Sequence, residues 1–125
     1  MPVTRSAPAG GRWDTGPVPT HIFRVTVKGR FGDLDHDDRA RLRDNLDRFD
    51  YSLAGYTDAG TFMYDATIDF FTFRVQLREV GDDWQDAHDA VCVRGEALAQ
   101  RQLDELEVGS RELTVRASDM ADIWS

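Results

Sequence analysis

Residues 70–80, Phe70-Phe71-Thr72-Phe73-Arg74-Val75-Gln76-Leu77-Arg78-Glu79-Val80, constrain the fold more than any other stretch. Read at a period of two, Phe71, Phe73, Val75 and Leu77 fall on one side, and Phe70, Thr72, Arg74, Gln76 and Arg78 on the other. That alternation belongs to a strand buried on one face only. The apolar side requires a covering layer, and the other side carries arginines. The run is therefore read as a central strand.

Residues 20–31 repeat the pattern. His21, Phe23, Val25, Val27 and Phe31 share one side, Ile22, Arg24, Thr26, Lys28 and Arg30 the other, and Gly29 suits a bulge or a close backbone approach. Asp35 then reads as the N-cap of a helix over residues 37–49, with Asp38 completing a capping box and Leu42, Leu46 and Phe49 facing inward. The spacing of Asp33, Asp35 and Asp37 imitates a calcium loop, but Asp38 and Asp44 stand where that loop needs glycine and a bidentate glutamate, so no metal is assigned. Residues 51–57 read as a short extended piece and Asp58-Ala59-Gly60 as a turn. A second strand over residues 61–67 has Phe62, Tyr64 and Ala66 on one side and Met63 and Asp65 on the other, and a tight two-residue hairpin follows at Ile68-Asp69. Asp82-Asp83 opens a long helix to about Glu107, stopped by Gly109. Its buried stripe is Trp84, Ala87, Val91, Leu98, Ala99, Leu103 and Leu106, with Gly95 at a close approach. The last strand, residues 111–118, turns Leu113, Val115 and Ala117 inward.

The order strand, helix, strand, strand, helix, strand predicts an α+β, ferredoxin-like βαββαβ domain: a four-stranded antiparallel sheet with two helices on one face. In that topology the first and third strands are central neighbours. Arg24, Lys28, Arg30, Arg74 and Arg78 then share the uncovered face, with Arg116 on a flanking strand. A cationic face is unexpected in a chain whose formal net charge is -8. Such a face calls for counter-charges, water or a ligand.

Residues 20–125 form one domain by length, and residues 1–19, which hold all four prolines, read as a flexible tail with Trp13 as its one anchor. The acidic net charge argues against nucleic acid as a partner. An RNA-recognition reading also fails on parity, because Phe71 and Phe73 belong to the core side. No apolar run reaches the ~20 residues of a membrane span, and the N-terminus lacks the apolar stretch of a secretory signal. The single cysteine, Cys92, excludes an internal disulfide, so a cytoplasmic protein is expected. Ile123 and Trp124 near the C-terminus need a covering surface, such as a second subunit.

The segments Phe23-Arg24-Val25-Thr26-Val27-Lys28-Gly29-Arg30-Phe31, Gly55-Tyr56-Thr57-Asp58-Ala59-Gly60, Tyr64-Asp65, Phe71-Thr72-Phe73-Arg74 and Ser118-Asp119-Met120 resemble those of a small bacterial domain-of-unknown-function family. The resemblance spans residues 20–120. It implies a ferredoxin-like fold of the dimeric α+β-barrel type and carries no activity.

Three constellations bear on function. Arg24, Lys28, Arg74, Arg78 and Arg116 suit a carboxylate or phosphate ligand through the planar guanidinium fork; paired with Asp65, Glu79 and Glu112 they would instead make an interface. Tyr64, Asp65 and His21, if they meet at the ends of adjoining strands, would supply a donor, a carboxylate and a base. His88 and Cys92, one helical turn apart beside Trp84, lack the orienting third group of a nucleophilic pair. The leading expectation is a homodimer that binds a small anionic or polar organic ligand on its sheet. The alternatives are a cofactor-independent cyclase, isomerase or oxygenase, and a structural or interaction module.

Overall fold

Two long strands, β1 (Thr20–Phe31) and β3 (Phe70–Val80), run antiparallel from the pair Thr20–Val80 to the pair Arg30–Phe70. They are the middle of the sheet in the computed structural model, which describes residues 18–49 and 55–121. Helix α1 (His36–Asp44), edge strand β2 (Thr61–Tyr64), helix α2 (Trp84–Glu105) and edge strand β4 (Ser110–Asp119) complete the chain. The sheet order is β2-β3-β1-β4, all antiparallel, the ferredoxin-like α+β arrangement. Trp13, Ile123 and Trp124 lie outside the described residues.

Side-chain parity explains the core. Phe23, Val25 and Val27 of β1 and Phe71, Phe73, Val75 and Leu77 of β3 are buried beneath the helices with Val91, Ala99 and Leu103 of α2 and Leu42 of α1. Each large apolar side chain so buried contributes on the order of 1.5–3 kcal/mol. Phe31, Phe49, Phe62, Tyr64 and Phe71 form an aromatic cluster, with Phe62 stacked on Phe71 at 5.4 Å. Helix α2 can lie this close because Gly95 has no side chain: a Cβ there would stand 2.7 Å from Val25 Cγ1.

The helix ends are held by side chains. Asp35 caps α1, its carboxylate accepting from the Asp38 N–H at 2.8 Å while Asp38 accepts from the Asp35 N–H. Those bonds, with Arg41 beside them, hold the Asp38 carboxyl below its usual range. Arg41 also donates to the Leu106 carbonyl at the end of α2, which ties the two helices together.

Several features differ from the sequence expectation. Helix α1 stops at Asp44 rather than reaching Phe49, because the Asn45 side chain takes the Arg41 carbonyl and its own N–H turns to Leu42. Strand β2 ends at Tyr64, and residues 65–69 replace the two-residue hairpin. That turn closes through the Ile68 N–H to the Asp65 carbonyl, with Ile68 at φ 56° and its side chain buried. Met63, on the side opposite Phe62 and Tyr64, is buried as they are, facing the buried Thr72 on β3. Trp84 is 42% exposed rather than part of the buried stripe, since it stacks on His88 at the start of α2 and donates from Nε1 to Asp119. No helix among the described residues is long and apolar enough to cross a membrane.

Candidate functional site on the open sheet face

The face of the sheet turned away from the helices is set by the register of three strands. Arg74, Thr26 and Arg116 form one row across β3, β1 and β4; Gln76, Arg24 and Ser118 form the row on one side of it, and Thr72, Lys28 and Thr114 the row on the other. Strands lie ~4.8 Å apart and same-face residues ~6.7 Å apart along a strand, so Arg74 and Arg116 flank Thr26 at a Cα separation of about 10 Å. Arg30 and the exposed Phe70 stand one row beyond Lys28. A bulge at Glu112, where φ is 57°, lets β4 shift register between Lys28 and Arg30 while Thr114, Arg116 and Ser118 keep the open face. The sequence-predicted cations Arg24, Lys28, Arg74, Arg78 and Arg116 therefore share one surface.

Tyr56, which the sequence analysis did not single out as a site residue, lies on top of this surface. Thr57 bridges to Val75 and its carbonyl accepts from the Gln76 N–H at 2.9 Å, so the segment runs along β3 and aims the preceding side chain at the open face. Gly60 makes the turn back into β2: its φ is 93°, its N–H donates to Thr57 Oγ1, and an added Cβ would stand 2.2 Å from Phe73. The Tyr56 hydroxyl shares a hydrogen bond with the Thr26 hydroxyl at 2.8 Å. The guanidinium carbons of Arg24 and Arg74 lie 5.1 and 5.6 Å from its ring centroid, both in cation–π range.

The electrostatics are unbalanced. Among the described residues, none of Arg24, Lys28, Arg74, Arg78 or Arg116 lies within salt-bridge distance of a carboxylate. The carboxylates expected to pair with them are engaged elsewhere. Glu79 has the inward parity and meets Arg94 of α2 at 2.8 Å; Glu112 meets Arg30 at 3.4 Å; Asp65 accepts from Thr67. Arg24 Nε and Arg74 Nε are buried with no hydrogen-bond partner among the described residues. Buried polar groups are normally satisfied, so these two donors on neighbouring arginines single out this part of the face.

Two adjoining cavities open here and share Lys28 and Thr114 as a common wall. One, of about 390 Å³, is bounded by Thr26, Tyr56, Arg74 and Arg116. The other, of about 470 Å³, is bounded by Arg30, Phe70, Thr72 and Glu112.

The remaining candidates do not assemble. His21 pairs with Glu79 near one end of β1, its Nε2 donating to the Gly81 carbonyl at 3.0 Å. Tyr64 is opposite Phe71, whose partner on β1 is Gly29, so eight residues of strand, about 26 Å, separate His21 from that end. The Tyr64 ring is in the core, its hydroxyl donates to the Leu42 carbonyl, and burial pushes its pKa up to about 12. Asp65 is exposed just after β2. The expectation that the three meet is corrected by this register. Cys92 Sγ lies 4.0 Å from His88 Nε2, and burial, with Asp89 nearby, raises the thiol pKa, the reverse of what an activated nucleophile needs.

The chain belongs to a family of unknown function, DUF6204, whose model matches residues 18–124. No curated protein matches the chain, and no solved structure matches it either.

Proposed function

We propose that the open sheet face binds a small organic anion, with Arg74, Arg116, Lys28 and Arg24 supplying the charge and Tyr56 the shape. The observation that carries this reading is the pair of buried Nε donors on Arg24 and Arg74, without a hydrogen-bond partner among the described residues, beneath the Tyr56 ring. A protein of net charge -8 repels anions at long range, so an anion site on it needs a local concentration of cations such as this one. Charge-assisted bonds from guanidinium groups contribute roughly 1.5–3 kcal/mol each.

Two copies joined face to face through this surface would set cations against cations. The expected homodimer therefore either uses another surface or traps an anion between the sheets. The enzymatic alternative loses its proposed residues to the separation of His21 from Tyr64.

Isothermal titration with inorganic phosphate and small organic acids tests the reading. Binding that weakens tenfold or more in Arg74→Ala, with the fold intact by circular dichroism, supports it. Equal affinity in wild type and variant would remove the site from this face.

A further inference from the structure

We infer that the ligand at this face carries a dianionic head group of the phosphate-monoester type in the lobe of Arg74, Lys28 and Arg116, and an uncharged, ring-sized body in the lobe of Phe70. The inference rests on the anion-binding reading above and goes beyond it by naming the class of ligand. It starts from the different character of the two cavities.

The head-group lobe brings three cations to one space of about 390 Å³. Arg74 and Arg116 approach from opposite sides of Thr26, and Lys28 from the next row. A planar carboxylate has two oxygens and engages one guanidinium fork fully. A tetrahedral group with three free oxygens can accept from both arginines and the ammonium at once, and carries about two charges above its second pKa of ~6. The Thr114 hydroxyl, on the same wall, is a further donor.

The neighbouring lobe has a different balance. Glu112 meets Arg30 at 3.4 Å, so its charges offset each other, and a second anionic group there would face the glutamate carboxylate. Phe70 is 54% exposed, with the Arg30 guanidinium 5.2 Å from its ring centroid. An exposed aromatic ring beside a compensated ion pair, in a space of about 470 Å³, suits an uncharged apolar or aromatic group. From Thr26 to Arg30 along β1 is about 13 Å, the length that a head group plus one ring spans with a short linker.

Titration of the intact chain with phenyl phosphate, phenylacetate and inorganic phosphate separates the outcomes. Phenyl phosphate is expected to bind at least tenfold tighter than phenylacetate at pH 7.5, and that ratio to shrink as pH is lowered through 6. Among the described residues, the titratable and charged groups lining the head-group lobe are Lys28, Tyr56, Arg74 and Arg116, with Arg24 against the Tyr56 ring, Glu112 beyond Lys28 and no histidine lining either cavity. Phenylacetate, measured in parallel, cancels any titration of the protein. Phe70→Ala is expected to weaken phenyl phosphate several-fold and to leave inorganic phosphate unchanged. Phenylacetate binding as tightly as phenyl phosphate, or a ratio flat from pH 7.5 to 5, overturns the dianionic head group. A Phe70→Ala variant that binds phenyl phosphate like wild type overturns the placement of the body. Failure of all three anions to bind refutes the anion-binding reading itself.

Discussion

Arg74→Met should stabilise the protein while abolishing anion binding, a combination that a structural arginine cannot produce. The substitution keeps an unbranched apolar stem beneath Tyr56 and removes a buried Nε that has no partner among the described residues. Leaving such a donor unsatisfied costs about 1–3 kcal/mol, which the methionine restores. The Arg24 and Arg74 guanidinium carbons lie 5.1 and 5.6 Å from one ring centroid, so their charges stand within about 11 Å of each other. At an effective dielectric constant of 20 to 80 that is a repulsion of ~0.4–1.5 kcal/mol, also relieved. Against these gains stands one cation–π contact, about 0.5–1 kcal/mol at a half-exposed position. The balance over these ranges is a gain of about 0.4–4 kcal/mol, which for a domain of this size raises Tm by roughly 2–18 °C. Thermal unfolding followed by circular dichroism in a low-salt buffer free of phosphate and carboxylate reads the change directly. Arg78→Met, which removes the same charge from an exposed position on the same strand, is the control and should move Tm little. Added phosphate should then stabilise the wild type and not the Arg74 variant. A fall in Tm of 4 °C or more in Arg74→Met would mean that the guanidinium holds the fold together, and the case for an unfilled site would go with it.

Gly60→Ala places a side chain at φ 93° and a Cβ 2.2 Å from the Phe73 ring. It should destabilise by about 2–4 kcal/mol in urea unfolding and weaken anion binding by displacing Tyr56; an unchanged midpoint contradicts the turn geometry. Tyr64 has a folded pKa of about 12, above its ordinary value near 10, so its contribution is complete below pH 10 and is lost as pH rises toward 12, the unfolded chain releasing its proton first. Tyr64→Phe should therefore flatten the decline in stability between pH 10 and 12; an identical decline in the variant assigns it to other groups. Asp35→Ala removes the carboxylate that caps α1 and should cost about 1 kcal/mol, read from the urea midpoint, with Asp35→Asn recovering most of it.

The fold was legible because period-two alternation is a geometric consequence of the pleat and needs no partner to be seen. Arg24, Lys28, Arg74 and Arg116 were placed on one face by counting alone, and the register confirms that they share it. Turns were less legible. The connection after β2 depends on Ile68 occupying a left-handed conformation that a β-branched residue seldom adopts, and no local composition announces it. Tyr56 was invisible for a related reason. It lies in an irregular segment, and only the bridge from Thr57 to Val75 determines which way its side chain points.

Parity also carries information about charge pairing. Glu79 sits two residues beyond Leu77 on β3 and therefore shares the side of the core, so it could never neutralise Arg74 or Arg78 across the open face; its partner had to come from a helix, and it is Arg94. Removing Glu79 from the open face leaves Glu112, and the bulge turns that residue toward Arg30. That the central arginines have no carboxylate partner among the described residues thus follows from which residues alternate and where one strand gains an extra residue. The neighbours of these cations, Thr26, Thr72 and Thr114, are neutral hydroxyl residues, able to donate to an anion and unable to neutralise a guanidinium, which is the feature the anion-binding proposal draws on.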